Sequence, residues 1–381
     1  MFALTLNLIL LFSMGLAAAA PKAKDMVLDL GADLRGVERL SSNQLQEDLE
    51  FLKAAVQKGY AGPDLQRVLN ALPTPPTNSQ NFCDLLAGAF APVRDAHLKA
   101  SLEFKGCGRR TQAGRVGKNI AESGWLLKSV EHQGQQISVL AIPEFWPKYD
   151  ARWNGFLAAV RSLRQQNRPF VIDLRGNSGG DDAMGFEMAR ILLGLPEHVN
   201  LPSPVVSRTF RQTPEAFALQ SNHWAWSILR LKNLGRPVPE YMKQRREEIL
   251  NWMERAENGE FPKNYIEHLP EVELDRRQVF SPPVFVLIDR GCASSCETTL
   301  QVLEQLPQRI LVGENTMGAV EFGDMGRVVL PNSRVSVSLS TMNVEFRDGR
   351  RVEKVGYAPT LPVRAGGDAL VAALDAVAEP D

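Results

Sequence analysis

The run Val284 to Glu297, VFVLIDRGCASSCE, reads as a buried strand that passes through a tight glycine turn into a helix. Val284 to Ile288 is too short for a helix and rich in β-branched side chains, whereas Leu300, Leu303 and Leu306 recur at helical spacing. Ser294 therefore opens the helix, with Gly291 in the turn. Amides at a helix start have no intrahelical partners, so they suit a negative oxygen developing on a substrate attached to Ser294. The macrodipole acts in the same direction. A second reading stays open, because Ser294 and Glu297 also form an S-x-x-E capping box in which the serine only satisfies an N3 amide.

Outward from this unit, strands alternate with helices from Trp125 onward. Ile137 to Ile142 is a strand, Trp153, Phe156, Leu157, Val160 and Leu163 mark a helix, and Phe170 to Leu174 is a second strand, as right-handed βαβ units require. That strand runs into Arg175-Gly176-Asn177-Ser178-Gly179-Gly180, and a helix carrying Met184, Met188, Ile191 and Leu195 follows. Ile310 to Val312 continues the layering, and Val328 to Leu330 with Val335 to Leu339 predicts a closing hairpin through Pro331-Asn332-Ser333. Upstream, Leu45, Leu49, Leu52 and Val56 share a helical face, Pro63 to Leu72 forms a short helix, and Phe82, Leu85, Leu86 and Phe90 a third. Leu98, Ala100, Leu102 and Phe104 then alternate with polar residues as a half-buried strand. Residues 202–278 read as a mostly helical insertion, whose tryptophans either pack helix on helix or contact substrate in a lid.

Met1 to Ala20 carries no charged side chain, has an apolar centre and ends in alanines, as a cleavable secretory signal does. An uncleaved anchor is the alternative. Lys plus Arg number 43 against 44 Asp plus Glu, which argues against nucleic acid or an anionic membrane as partner. The remaining chain is long enough to bury a substantial core without disulfides. Four cysteines in an exported, secreted or periplasmic chain nevertheless suggest pairing, with three connectivities possible. Cys83 with Cys107 and Cys292 with Cys296 is the favoured pairing, the second bracing the Ser294 turn; four buried thiols are the alternative.

A serine nucleophile needs a base, and the chain holds five histidines. His97 is the best placed, since it opens a strand two residues after Asp95, where a loop end can hold an imidazole at a cleft. The turn Gly176 to Gly180 lies at the carboxyl end of a buried strand, the place where open α/β sheets bind ligands, and Gly179 and Gly180 offer amides free of Cβ obstruction. Neither phosphate-loop pattern is present.

These segments together resemble the C-terminal-processing (tail-specific) serine peptidase family, especially the branch of the tricorn core protease and the interphotoreceptor retinoid-binding protein modules. The likeness rests on FVIDLRGNSGG at Phe170 to Gly180, GCASSCE at Gly291 to Glu297, GENTMG at Gly313 to Gly318, Asp95-Ala96-His97, and the spacing of Glu353, Gly356 and Pro359. It implies an α/β fold with a ClpP/crotonase-like layered core at 109–381, the insertion at about 202–278, and an N-terminal helical subdomain at 25–108 following the signal at 1–20. It also implies a Ser294, His97, Glu353 triad, with the oxyanion held by amides of Ser295 and of Gly179 or Gly180. The lysine base of the tail-specific branch is replaced by Ala319, and Thr360 stands where the family usually has aspartate. Only about 25 residues separate Gly108 from the first core strand, against the roughly 50 a further domain needs, so a PDZ module is not expected.

The expected function is an exported serine endopeptidase acting on peptides or partly unfolded chains through an acyl-enzyme, with no metal or organic cofactor and no membrane span once the signal is removed. Two rivals stand beside it: a peptide- or lipid-binding protein on the same scaffold, and a hydrolase gated by reduction of Cys292 and Cys296. The sequence does not speak to oligomeric state or cleavage preference.

Overall fold

A computed structural model describes residues 21–73, 76–108, 124–145, 152–364 and 366–378. The expected signal at 1–20 and the stretch 109–123, on which the argument about a PDZ module rests, lie outside the described residues. In chain order the elements are α1 (Ala23–Met26), α2 (Ser42–Gly59), α3 (Gln66–Asn70), α4 (Ser79–Phe90), β1 (Lys99–Leu102), β2 (Lys105–Gly106), β3 (Leu126–His132), β4 (Gln135–Ala141), α5 (Trp153–Gln166), β5 (Phe170–Asp173) and α6 (Asp182–Leu193). Then come β6 (Val205–Arg211), α7 (Pro214–Asn233), α8 (Glu240–Glu257), β7 (Asn264–His268), β8 (Val284–Ile288), α9 (Ser295–Leu303), β9 (Arg309–Gly313), β10 (Phe322–Val329), β11 (Ser336–Phe346), β12 (Leu361–Pro362) and α10 (Ala369–Ala378).

The apolar runs that read as buried strands form the centre of one sheet, ordered β12-β9-β8-β5-β4-β3, parallel except for the antiparallel edge strand β3. Strand period two splits β8 between two cores. Val284, Val286 and Ile288 pack with α5, α6 and α9, while Phe285 and Leu287 pack with α10 on the other face. Both faces are thus covered, and the carboxyl ends of β5 and β8 emerge side by side with their loops.

The second sheet is antiparallel, ordered β2-β1-β11-β6-β7, with β10 also paired to β11. Ala100, Leu102, Val328, Val337 and Leu339 line one face and bury the apolar stripes of α2 and α4. Asp48 of α2 accepts the Asn332 and Ser333 amides at 2.8 and 2.7 Å, which fixes the hairpin turn expected at Pro331 to Ser333. The strand expected to run through Phe104 stops at Leu102, since Glu103 and Phe104 take positive φ and turn the chain. The insertion contains more than helices: its flanks, 205–211 and 264–268, are strands that extend this sheet beyond β11. Period-two alternation is weak there because neither strand is buried on a full face. Trp224 stacks edge-on against Tyr241 at 6.2 Å and Trp252 lies 5.9 Å from Phe217, so these tryptophans pack helix on helix, whereas Trp226 faces the sheet.

Both favoured disulfides are present, Cys83–Cys107 and Cys292–Cys296. The first ties α4 to the chain leaving β2, with 24 residues of sequence separation. Loop-closure entropy for such a span gives about 3 kcal/mol. Replacing Cys83 and Cys107 together by alanine should therefore lower the unfolding free energy by about that amount, measured by urea titration, and leave Ser294 chemistry in the folded fraction unchanged.

Candidate active site

At the carboxyl ends of β5 and β8, Asp289 Oδ1 accepts the amides of Gly176 and Gly291, each at 2.8 Å, and so joins the glycine loop to the nucleophile turn. The Ala293 amide donates to the Asn177 carbonyl at 3.1 Å, and the Asn177 side chain donates to the Ile142 carbonyl at 2.8 Å. The two loops are therefore one hydrogen-bonded body. Gly179 lies against Ser294 so closely that a Cβ would stand 3.0 Å from the Ser294 Cβ and from the Ser295 nitrogen. A Cβ on Gly180, at φ +142°, would meet the Phe145 carbonyl at 2.2 Å.

Of the three expected oxyanion donors, Gly179 needs correction. Its amide is already given to Asn177 Oδ1 at 2.8 Å, so its contribution is space rather than a hydrogen bond. That leaves the amides of Gly180 and Ser295 as the candidates of the three. Ser295 is the first helical residue of α9, where the amide has no intrahelical acceptor, and its hydroxyl donates to the Gly180 carbonyl at 2.9 Å, which ties the two peptides together.

Ser294 is the N-cap of α9, with φ 55° and ψ −120°. An L residue avoids that region at a cost of about 1–3 kcal/mol, and residues held there cluster at functional sites. Three contacts hold it. The Cys292–Cys296 disulfide brackets it, the Cys292 carbonyl accepts the Met317 amide at 2.9 Å, and Glu297 accepts the Ser294 amide at 3.3 Å. The Glu297 amide donates to the Ser294 backbone carbonyl at 2.7 Å. Glu297 itself is fully buried and also accepts the Thr316 hydroxyl at 2.5 Å and the amides of Gly318 and Ala319 at 2.8 and 2.6 Å. Burial pushes its pKa up, against the pull of these bonds.

The next two amides of the same segment, Val320 and Glu321, donate to Glu353 Oε2 at 3.1 and 2.9 Å. Glu353 Oε1 accepts the Ala96 amide at 2.6 Å, beside His97. Glu321 answers in kind, accepting the Val352 and Glu353 amides at 2.6 and 3.0 Å and pairing with Arg94 at 2.7 Å. Glu353 is buried, and burial raises its carboxyl to about 7.

His97, Glu353 and Asp95 converge, their nearest side-chain nitrogen and oxygen atoms lying within 4.8 Å of one another. Asp95 is buried and accepts the His97 amide at 2.8 Å and the Tyr60 hydroxyl at 3.0 Å. The His97 ring is pushed below its ordinary pKa, chiefly by burial, against the Asp95 charge. Its Nδ1 is buried and has no hydrogen-bond partner, so the ring converges on the two carboxylates without an Nδ1 bond to either. No hydrogen bond joins His97 to Ser294 among the described residues; the Ser294 and His97 amides go to Glu297 and Asp95. These three side chains are also the group among the described residues with the donors a metal would want. Each carboxylate oxygen, however, already accepts a hydrogen bond from an amide or a hydroxyl. The structure thus brings His97 to Glu353, and Ser294 to Gly179, Gly180 and Ser295, and links the two groups through residues 316–321. Sequence reasoning missed Asp95 as a buried neighbour of the imidazole, Tyr60 as its partner, and Glu321. Only Asp95 carried a signal, its place in Asp95-Ala96-His97.

The model of peptidase family S41 matches residues 136–363, which include Gly179, Gly180, Ser294 and Glu353 but not His97. No curated protein matches the chain. Among solved structures, one described as a candidate peptidase from Parabacteroides merdae aligns at TM-score 0.50 and 17% identity, over 86% of this chain and 92% of that one. The photosystem II D1 C-terminal processing protease aligns at TM-score 0.38 and 15% identity, over 68% of this chain and 54% of that one, so the chain spans about half its length. The tricorn protease aligns at TM-score 0.32 and 13% identity, over 63% of this chain and 17% of that one.

Removing the Glu297 carboxylate would leave amides and a hydroxyl unpaired in the interior. Glu297→Ala should cost about 3 kcal/mol or more of unfolding free energy, and Glu297→Gln less, because one oxygen survives. A urea midpoint equal to wild type in both variants would show that water replaces the carboxylate freely.

Proposed function

Because the chain belongs to peptidase family S41 and is a serine-type peptidase, we propose that it is an exported endopeptidase that cleaves peptides or partly unfolded chains with Ser294, His97 and Glu353. The observation that carries this reading is Ser294 itself, held at a strained N-cap against the Gly179–Gly180 loop, with the Ser295 amide at the open end of α9. In this mechanism the Ser294 hydroxyl attacks the scissile carbonyl while His97 takes its proton, and the oxyanion accepts from the Ser295 and Gly180 amides. His97 then returns the proton to the leaving amine, and water admitted to the acyl-enzyme is activated by the same imidazole. Glu353, aided by Asp95, orients the ring and stabilises the imidazolium. Closure of the His97–Ser294 hydrogen bond belongs to the substrate complex, since such bonds tighten when substrate excludes water.

Two disulfides fit an oxidising compartment, in keeping with export. Among the described residues no helix is long and apolar enough to cross a membrane. Cys292 and Cys296 are fully buried, which favours a brace over a redox gate.

A fluorophosphonate probe should label the wild-type chain, and Ser294→Ala or His97→Ala should reduce labelling to background, because triad members act as a unit. Labelling of Ser294→Ala at the wild-type rate would overturn the assignment. Catalysis needs Glu353 ionised and His97 neutral. Glu353 titrates at about 7, while His97 loses its proton below its ordinary value, so the carboxyl sets the acid limb. The kcat/KM should therefore rise with pH through an inflection near 7, and Glu353→Gln should lower kcat by roughly two to four orders of magnitude. A profile flat from about pH 5.5 to 8 would show that neither group governs the rate.

A further inference from the structure

Helix α2 ends at Gly59, and the next residue, Tyr60, turns its ring into the interior, where it is 4% exposed. A buried phenol needs an acceptor for its hydroxyl, and this one donates to Asp95 Oδ2 at 3.0 Å. A glycine makes room for the ring: a Cβ at Gly62 would stand 2.1 Å from the Tyr60 hydroxyl oxygen. The loop is bonded down on three sides. The Tyr60 carbonyl accepts from Arg211 Nε at 3.2 Å, the Ala61 amide donates to the Ser340 carbonyl at 2.8 Å, and Asn343 Nδ2 donates to the Ala61 carbonyl at 3.1 Å. Thr213, the N-cap of α7, gives its hydroxyl to the Lys58 carbonyl at 2.8 Å. Bonds from β6, β11 and the start of α7 therefore set where the phenol lies before any substrate binds.

Asp95 faces two ways. Its Oδ2 takes the Tyr60 hydroxyl, and its Oδ1 takes the His97 amide at 2.8 Å. Its backbone holds the same turn, since its amide donates to the Val93 carbonyl at 2.9 Å and its carbonyl accepts the Leu98 amide at 3.3 Å. The charge of Asp95 is felt by both of its neighbours. Burial pulls the His97 pKa down, the Asp95 charge pushes it back up, and Lys99 on β1 opposes that push. Burial raises Glu353, and the Asp95 charge raises it further. The other charged groups around these three are Lys354 next to Glu353, His223 on α7, and Glu321, whose carboxylate is taken by Arg94 and Arg351. Burial, with the Asp95 charge, pushes the Tyr60 phenol well above its ordinary range, so Tyr60 is a donor at every pH at which the site works. The carboxylate beside the base is thus held by one hydroxyl and one amide.

We propose that Tyr60 is a positioning residue for the base: through Asp95 it fixes the His97 backbone and anchors a second carboxylate beside the imidazole, which shares the imidazolium charge with Glu353. The proposal rests on the triad reading and gives it a second arm. When the Ser294 proton passes to His97, a positive charge forms on a buried ring, and such a charge needs opposite charge already in place. Glu353 supplies one carboxylate, held by the Ala96, Val320 and Glu321 amides, and Asp95 supplies the other. The proton stays on the ring until the leaving amine takes it, and neither carboxylate receives it. Because the Tyr60 loop is bonded to β6 and α7, the insertion contributes to the site through this same arm.

The test follows the second-order rate of fluorophosphonate labelling of the full chain from about pH 5.5 to 8, with the end point counting competent sites so that misfolded protein does not enter the rate. Tyr60→Phe keeps the ring and loses only the hydroxyl, and it should label about tenfold more slowly, as the loss of a hydrogen bond to a charged group implies. Asp95→Asn keeps the shape but removes the charge that raises both Glu353 and His97. Its labelling should slow by about tenfold or more, and its acid limb should move about 0.5 pH or more below that of wild type. A side chain that only packs would slow labelling and leave the limb in place. Since Tyr60 acts through Asp95, adding Tyr60→Phe to Asp95→Asn should cost less than about twofold more. The same charge is read without catalysis from the His97 Cε1 proton resonance in chains carrying Ser294→Ala, whose titration should fall on Asp95→Asn. An acid limb or a His97 titration that stays in place, a Tyr60→Phe rate equal to wild type, or full multiplication of the two effects overturns the second arm. A wild type that takes no probe, in a chain whose His97 titration still falls on Asp95→Asn, would instead sink the catalytic reading and leave the pairing of Asp95 with the imidazole standing.

Discussion

The six residues Thr316 to Glu321 carry the geometry of the site, because two buried carboxylates divide their hydrogen bonds. Glu297, on the nucleophile helix, takes the Gly318 and Ala319 amides, and Glu353, beside the histidine, takes those of Val320 and Glu321. A single segment thus ties a serine delivered by the parallel sheet to an imidazole delivered by the antiparallel one. Four consecutive backbone donors admit almost no slack, since displacing either carboxylate strands buried amides that water cannot easily reach. The reciprocal bonds from the Val352 and Glu353 amides to Glu321 close the clasp from the other side.

Close backbone approach is the condition for such a clasp. A Cβ at Gly318 would stand 2.4 Å from the Val352 carbonyl, and one at Gly356 would stand 2.2 Å from the Thr316 carbonyl. The two glycines let residues 316–318 and 352–357 lie in contact, with the Tyr357 amide donating to the Thr316 hydroxyl at 2.7 Å. The glycine and glutamate spacings that stand out in the sequence are therefore parts of one packing solution. Their energetic side is burial of negative charge: both Glu297 and Glu353 are pushed upward in pKa, and both are kept in place by backbone donors rather than by cations.

The layered core was legible because β5 and β8 are apolar runs whose alternate residues feed two separate cores, and because α5, α6 and α9 keep helical spacing between them. Ser294 was legible as a helix opener from local pattern alone. The strands flanking the insertion were not, since a strand that is not buried along a full face carries little period-two signal. Gly179 illustrates a different limit. Sequence shows that a glycine can present its amide, but only coordinates show that Asn177 has already taken it. Arg327 is a third case. Nothing in Gly326-Arg327-Val328 distinguishes a solvated arginine from a buried one, and the pairing of β10 with β11 decides it.

The absence of a lysine base has a structural counterpart. Ala319 is 2% exposed and its amide is bound by Glu297, so this position is filled to the level of a methyl group and holds the nucleophile turn through its backbone. A longer side chain there would have to enter the clasp it helps to build. In the proposed triad the base for Ser294 comes from outside the parallel sheet: His97 lies just before β1, where Ser338 and Asp95 fix its backbone and burial pushes its pKa down. The cost of recruiting a base from a second sheet is that its register against the serine must be set by something other than chain neighbours. The divided hydrogen bonding of residues 316–321 does this, which explains why the segment is backed by carboxylates on both sides and why the imidazole can afford an unbonded Nδ1 before substrate arrives.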